Sequence, residues 1–78
     1  MRVHVRLFAG FRELLPREAR GAATLELIEG SDVADLLDRL GIAHPVKLVT
    51  VNGTPETRRD RVLVDGDTVL VFPPVVGG

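Results

Sequence analysis

The 78-residue sequence contains no cysteine, tryptophan or tyrosine, and a single lysine, Lys47. Without cysteine there is neither a disulfide nor a thiolate ligand set, so packing alone must hold together a chain near the lower size limit for a self-sufficient core. Three phenylalanines are the only aromatic residues, too few for a base-stacking platform. Ten basic against eleven acidic residues give a net charge of −1 and no basic stripe, which argues against nucleic acid as a partner. No apolar run approaches the ~20 residues of a membrane-spanning helix. The N-terminal "MRVHVRLF" alternates charge with apolarity, unlike the core of a signal peptide. The expectation is one globular, cytoplasmic domain, since 45% hydrophobic and 27% charged residues set it apart from disordered chains.

Hydrophobic periodicity outlines the elements. Residues 2–8 alternate, which predicts a strand burying Val3, Val5 and Leu7. "AGFRELLP" at 9–16 reads as a turn into a short helical segment stopped by Pro16, followed by a loop at 17–22. "ATLELI" at 23–28 alternates again, with Ala23, Leu25 and Leu27 on one face, as the second strand of a hairpin. Ser31 or Asp32 suits a helix N-cap, and Asp32 and Asp35 suit the positive end of the helix dipole. Val33, Leu36, Leu37 and Leu40 form one apolar stripe, and Gly41 supplies the stop. A strand at 46–52 ends in the turn dipeptide Asn52-Gly53. Residues 54–61 are polar and irregular, with room for one short edge strand. The stretch "VDGD" at 64–67 turns into a last strand, Thr68 to Phe72, which Pro73 and Pro74 terminate. A single amphipathic helix among four or five strands predicts an α+β, β-grasp (ubiquitin-like) roll, with the first and last strands parallel at the centre of a mixed sheet.

Candidate chemistry inside the domain is sparse. His4 lies on the polar side of the first strand and His44 in a loop; neither has ligand spacing, so no metal site is expected. In "VDGD", Asp65 is expected to bond local backbone amides, because a calcium loop requires further oxygens in a defined frame. Ser31, the only serine, lacks a nucleophile setting. Arg58, Arg59 and Arg61 form a small loop cluster open to an acidic partner. No internal constellation resembles an active site, and no bound cofactor is expected.

Attention therefore falls on the last residues, "FPPVVGG". Proline pre-extends a chain, and glycine allows close backbone approach where a Cβ would clash. From Pro73 to Gly78 the reach is about 20 Å, enough to enter a deep pocket while a domain of residues 1–72 stays outside. A carboxylate at Gly78 could serve as the working group once coupled to AMP, which turns a poor electrophile into a good one.

The stretches "LFAGFREL" at 7–14, "DVADLLDRLG" at 32–41, "VNG" at 51–53 and "DGDTVLVFPPVVGG" at 65–78 resemble the MoaD/ThiS family of ubiquitin-like sulfur carriers. The last is the specific one: it is similar to the Phe-Pro-Pro-Val-x-Gly-Gly ending of members that serve as the small subunit of molybdopterin synthase. The resemblance implies that an E1-like (MoeB-like) adenylating enzyme activates Gly78 with ATP, with Gly77 beside it. A sulfur donor then makes the thiocarboxylate, and the tail delivers sulfur for the molybdopterin dithiolene within the large (MoaE-like) subunit. A sulfur carrier for the thiamin thiazole is one alternative, and a ubiquitin-like protein modifier another.

Strand parity adds a docking surface. If Val3, Val5 and Leu7 face the helix, Phe8 faces away from it, and by the same logic so do Leu70 and Phe72. The three are expected to gather on one exposed sheet face beside the root of the tail, with Pro73, Pro74, Val75 and Val76 continuing the contact. Contiguous apolar patches of this kind mark interfaces. The resemblance likewise implies that positions matching Phe8 and Phe72 touch the partner proteins.

Overall fold

A computed structural model of the chain describes residues 1–42 and 45–74; His44 and the stretch Val75, Val76, Gly77, Gly78 lie outside the described residues. Five strands, β1 (Arg2–Leu7), β2 (Ala22–Glu26), β3 (Leu48–Val51), β4 (Thr54–Pro55) and β5 (Thr68–Phe72), form one sheet in the order β2-β1-β5-β3-β4. One α-helix, α1 (Val33–Leu40), packs on it. Strand β1 pairs antiparallel with β2 and parallel with β5, placing Val5 opposite Ala23 on one side and Val69 on the other. This is the mixed β-grasp sheet expected, with the parallel pair at its centre.

The core is the layer between sheet and helix. Val3, Val5, Leu7, Val49, Val51, Val69 and Val71 point into it from the strands, and Val33, Leu36 and Leu37 meet them from α1. Burying each side chain contributes about 1.5–3 kcal/mol. Strand β1 alternates strictly between exposed and buried residues. Strand β3 departs from that rule, because Thr50 on the outer face is also buried, sitting between Leu70 and Pro55 of the flanking strands.

Local chemistry sets the element ends. Asp32 is the N-cap of α1: its carboxylate accepts from the Asp35 amide at 2.9 Å, and the Asp35 carboxylate accepts from the Asp32 amide at 3.0 Å. This reciprocal box satisfies donors that a helix start leaves open. Two more, the amides of Val33 and Ala34, donate to the carbonyls of Arg61 and Arg59, so the irregular 56–61 segment also closes the helix. Ser31 instead donates its hydroxyl to the Ile28 carbonyl. The segment after β1 is a 3-10 helix, Ala9–Leu14, which ends as Leu15 turns extended ahead of Pro16. The expected loop at 17–22 contains a further 3-10 turn, Arg17–Ala19. It returns to the sheet through Gly21, at φ 78°, where a Cβ would stand 2.7 Å from the Leu7 carbonyl oxygen. Only glycine fits there.

The "VDGD" turn differs from its sequence reading. Asp67, not Asp65, caps the local backbone: it is buried, accepts from the Val64 amide at 2.9 Å, and takes a second bond from the Asn52 side chain. Asp65 reaches across to the Arg2 amide at 2.7 Å. The parallel neighbourhood of β1 and β5 brings Arg2 to that turn, a contact 63 residues distant in sequence. Asn52 in turn accepts from the Thr68 amide, so one side chain ties the end of β3 to the start of β5.

Candidate functional site

Strands β1 and β5 run parallel and end together. With Leu7 opposite Val71, the next residues, Phe8 and Phe72, fall side by side on the outer face. Their rings stack with centroids 4.3 Å apart and planes 9° from parallel. Near-parallel stacking removes ring surface from water and contributes about 0.5–1.5 kcal/mol beyond burial. Each ring is therefore half-buried, more covered than an open sheet face implies, because each shields the other.

The stack forms one wall of an open groove of about 650 Å³, lined by Phe8, Ala9, Gly10, Lys47, Leu48, Phe72, Pro73 and Pro74. Its surface is almost wholly apolar, and Lys47 is the one charged residue among the described lining. The Lys47 amide donates to the Phe72 carbonyl at 2.9 Å, which holds the chain in place at the point where it leaves the sheet. Ala9 begins the 3-10 helix in the left-handed region at φ 50°, and this turn carries Gly10 to the groove's rim.

The three patch residues do not share one hollow. Phe8 and Phe72 do, but Leu70 sits opposite Arg6 and lines a separate depression with His4, Arg6, Thr24 and Thr68. Leu48 takes the place expected of Leu70. It pairs with Phe72 across β3 and β5 and is 36% exposed. Parity would have revealed it: with Val49 and Val51 directed at the helix, Leu48 must face outward. Pro73 is half-buried and Pro74 exposed at the groove's end. The remaining site residues of the sequence reading, Val75, Val76, Gly77 and Gly78, lie outside the described residues.

The other candidates stay apart from this site. His4 is exposed, with Nδ1 3.0 Å from the Thr24 hydroxyl. In the 56–61 loop, Arg58 forks onto Asp60 with two bonds of 3.0 Å, and Arg61 lies 3.4 Å from Glu56. The Arg58 guanidinium, by direct hydrogen bonding and charge, holds the Asp60 carboxyl below its ordinary range. Two of the three loop arginines are thus spent on internal pairs. Among the described residues no three of His, Cys, Asp and Glu converge as metal ligands, and no helix is long and apolar enough to cross a membrane.

Comparison with known proteins places this geometry. The model of the ThiS family matches residues 5–78. Subunit 1 of a molybdopterin converting factor, as assigned in Pyrococcus furiosus, is 33% identical with a TM-score of 0.75, over 96% of this chain and 99% of that one. The Haloferax volcanii HVO 2177 protein is 31% identical with a TM-score of 0.77, over 100% and 87% of the two chains. A complex of subunits 1 and 2 of the molybdopterin-converting factor from Helicobacter pylori contains the same fold at 22% identity and a TM-score of 0.67, over the full length of both chains. No curated protein sequence matches significantly. A β-grasp sheet with a family match from within its first strand to its last glycine leads to one assignment: the chain belongs to the ThiS family, the ubiquitin-like sulfur carriers of the MoaD/ThiS type.

Proposed function

We infer that this carrier is the sulfur-donating small subunit of a molybdopterin synthase, with the Gly78 carboxylate as its working group. The observation that carries the reading is the apolar groove built by Phe8, Leu48, Phe72 and Pro73 at the root of the tail. The 33% identity to the Pyrococcus furiosus subunit and the H. pylori relative's occurrence as a two-subunit complex support it further.

The chemistry follows from what a carboxylate needs. A carboxylate oxygen of Gly78 attacks the α-phosphorus of ATP in an E1-like enzyme, and pyrophosphate departs. A sulfur nucleophile at the hydrosulfide level then adds to the acyl carbon, AMP leaves, and a thiocarboxylate remains. Within the large subunit, the thiocarboxylate sulfur attacks a side-chain carbon of the pterin precursor and an oxygen substituent departs; water then cleaves the acyl–sulfur bond, leaving a thiolate on the pterin and a carboxylate at Gly78. The chain's own residues act in these steps by placement. They supply reach, through the extension that begins at Pro73, and a docking wall whose stacked rings are already ordered before a partner arrives. Pre-ordering of the stacked rings limits the entropy lost on association. ATP, on this reading, binds only to the activating enzyme.

The test is intact-mass measurement after incubation with the E1-like enzyme, ATP and a sulfide source, followed by addition of the large subunit and pterin precursor. The expected result is exchange of one oxygen for sulfur at the terminus, then its loss with formation of the dithiolene. A thiocarboxylate that forms but is consumed only by a thiazole-forming system overturns the molybdopterin assignment. Lysine conjugates bearing this tail in cell lysate overturn it in favour of a modifier.

A further inference from the structure

Eight of the nine arginines divide by position; the ninth, Arg59, lies in the 56–61 loop and makes no side-chain bond among the described residues. Arg2 pairs with Glu26, Arg58 with Asp60 and Arg61 with Glu56, while Arg39 donates to the Glu26 carbonyl. Arg6, Arg12, Arg17 and Arg20 make no salt bridge or side-chain hydrogen bond among the described residues. These four share one region. Arg6, Arg12 and Arg20 line a hollow of about 290 Å³ with Leu7 and Phe8. Arg12, Arg17 and Arg20 line an adjoining one of about 370 Å³, where Glu13 is the sole acid. A chain of net charge −1 therefore carries a strongly positive hollow at one end.

Its neighbour is the groove already described. Phe8 lines both, so a protein that covers the Phe8–Phe72 stack to reach the tail also lies against Arg6, Arg12 and Arg20. Guanidiniums brought into an interface without counter-charges lose hydration and gain nothing, whereas carboxylates opposite them form short, charge-assisted pairs. We propose that Arg6, Arg12, Arg17 and Arg20 form an electrostatic docking edge for a carboxylate-rich strip on the protein that seats on the Phe8–Phe72 groove. This rests on the carrier reading above and adds the partner's chemistry to it. All four side chains are exposed, and rim charges act chiefly on the rate of encounter. The edge thus sets association rate and salt dependence, while the rings set residence time.

The stem of Arg12 packs beside Gly21, its Cγ within 3.0 Å of where a Cβ there would be, so the test leaves Arg12 in place. Association of the full-length protein with the E1-like enzyme and with the synthase large subunit is followed by stopped flow across a range of NaCl concentrations. The variants are wild type, Arg6→Gln/Arg20→Gln, Arg6→Glu/Arg20→Glu and Phe72→Ala. Wild-type association should slow steeply with salt as screening shortens to ~10 Å at 0.1 M. The glutamine pair should associate about tenfold more slowly at low salt, with its salt dependence flattened, and the glutamate pair more slowly still. Phe72→Ala should dissociate faster with the wild-type salt slope. Equal association rates and slopes for the wild type and the glutamate pair overturn the proposal while leaving the carrier reading standing. Saturable binding of inorganic pyrophosphate by the wild type, lost in the glutamine pair with protein association unchanged, overturns it in favour of a small-anion site. A wild type that binds neither protein overturns the carrier reading, and the docking edge with it.

Discussion

Truncating the stacked rings separates docking from folding. A fully buried phenylalanine changed to alanine costs roughly 3–5 kcal/mol, but Phe72 is half-buried on the outer face. About half of that range applies, roughly 1.5–2.5 kcal/mol, of which about 0.5–1.5 kcal/mol belongs to the contact with Phe8 at 4.3 Å. Phe8→Ala should cost similarly, and the double variant less than the sum, because the stack is lost only once. In a domain of this size each kcal/mol lowers Tm by roughly 4–8 °C, so both single variants should remain folded at 25 °C. Binding should suffer more: an aromatic anchor at an interface centre is worth at least about 2 kcal/mol, near a 30-fold rise in Kd. Calorimetric titration of each variant against the large subunit, paired with thermal melts of the free chain, reads both effects. Wild-type affinity in both single variants refutes the docking wall. A coupling energy of zero in the double-mutant cycle refutes the stack, and loss of folding in either single variant refutes the placement of these rings outside the core.

The other expectations concern the terminus, the core and the turn before β5. Appending one residue after Gly78 should abolish sulfur incorporation, read by intact mass, while leaving the melt unchanged; continued incorporation removes Gly78 from its proposed role. Leu36→Ala, at a side chain with 0% exposure, should cost about 2–5 kcal/mol in chemical denaturation, whereas Asp38→Ala on the exposed face should be nearly silent. Asp67→Ala leaves the Val64 amide and the Asn52 side chain without their shared acceptor and should cost about 1–3 kcal/mol. Asp65→Ala loses one exposed bond to Arg2 and should cost distinctly less in the same denaturation series.

Much of this protein was legible one residue at a time. Alternation placed Val3, Val5 and Leu7 inward, and the stripe from Val33 to Leu40 gave the helix with its stop at Gly41, because side-chain direction repeats every 2 or 3.6 residues whatever the chain packs against. The run "FPPVVGG" drew attention to the terminal carboxylate, and its resemblance, with the other matching stretches, to the MoaD/ThiS family implied a carrier. Contacts between distant segments were another matter. Which aspartate of "VDGD" would be buried depended on Asn52 arriving from β3, and the partner of Asp65 was the backbone of Arg2, across the parallel pair. Leu48 replaced Leu70 beside the rings because the register of β3 against β5 sets Leu48, not Thr50, opposite Phe72. The arginines carried no signal in their spacing at 6, 12, 17 and 20. A strand, two 3-10 turns and the return through Gly21 bring them to one edge beside Phe8. Local sequence determines the face a side chain takes, through backbone geometry that spans a few residues. Only closure of the sheet, which fixes register between segments far apart in the chain, decides which faces meet.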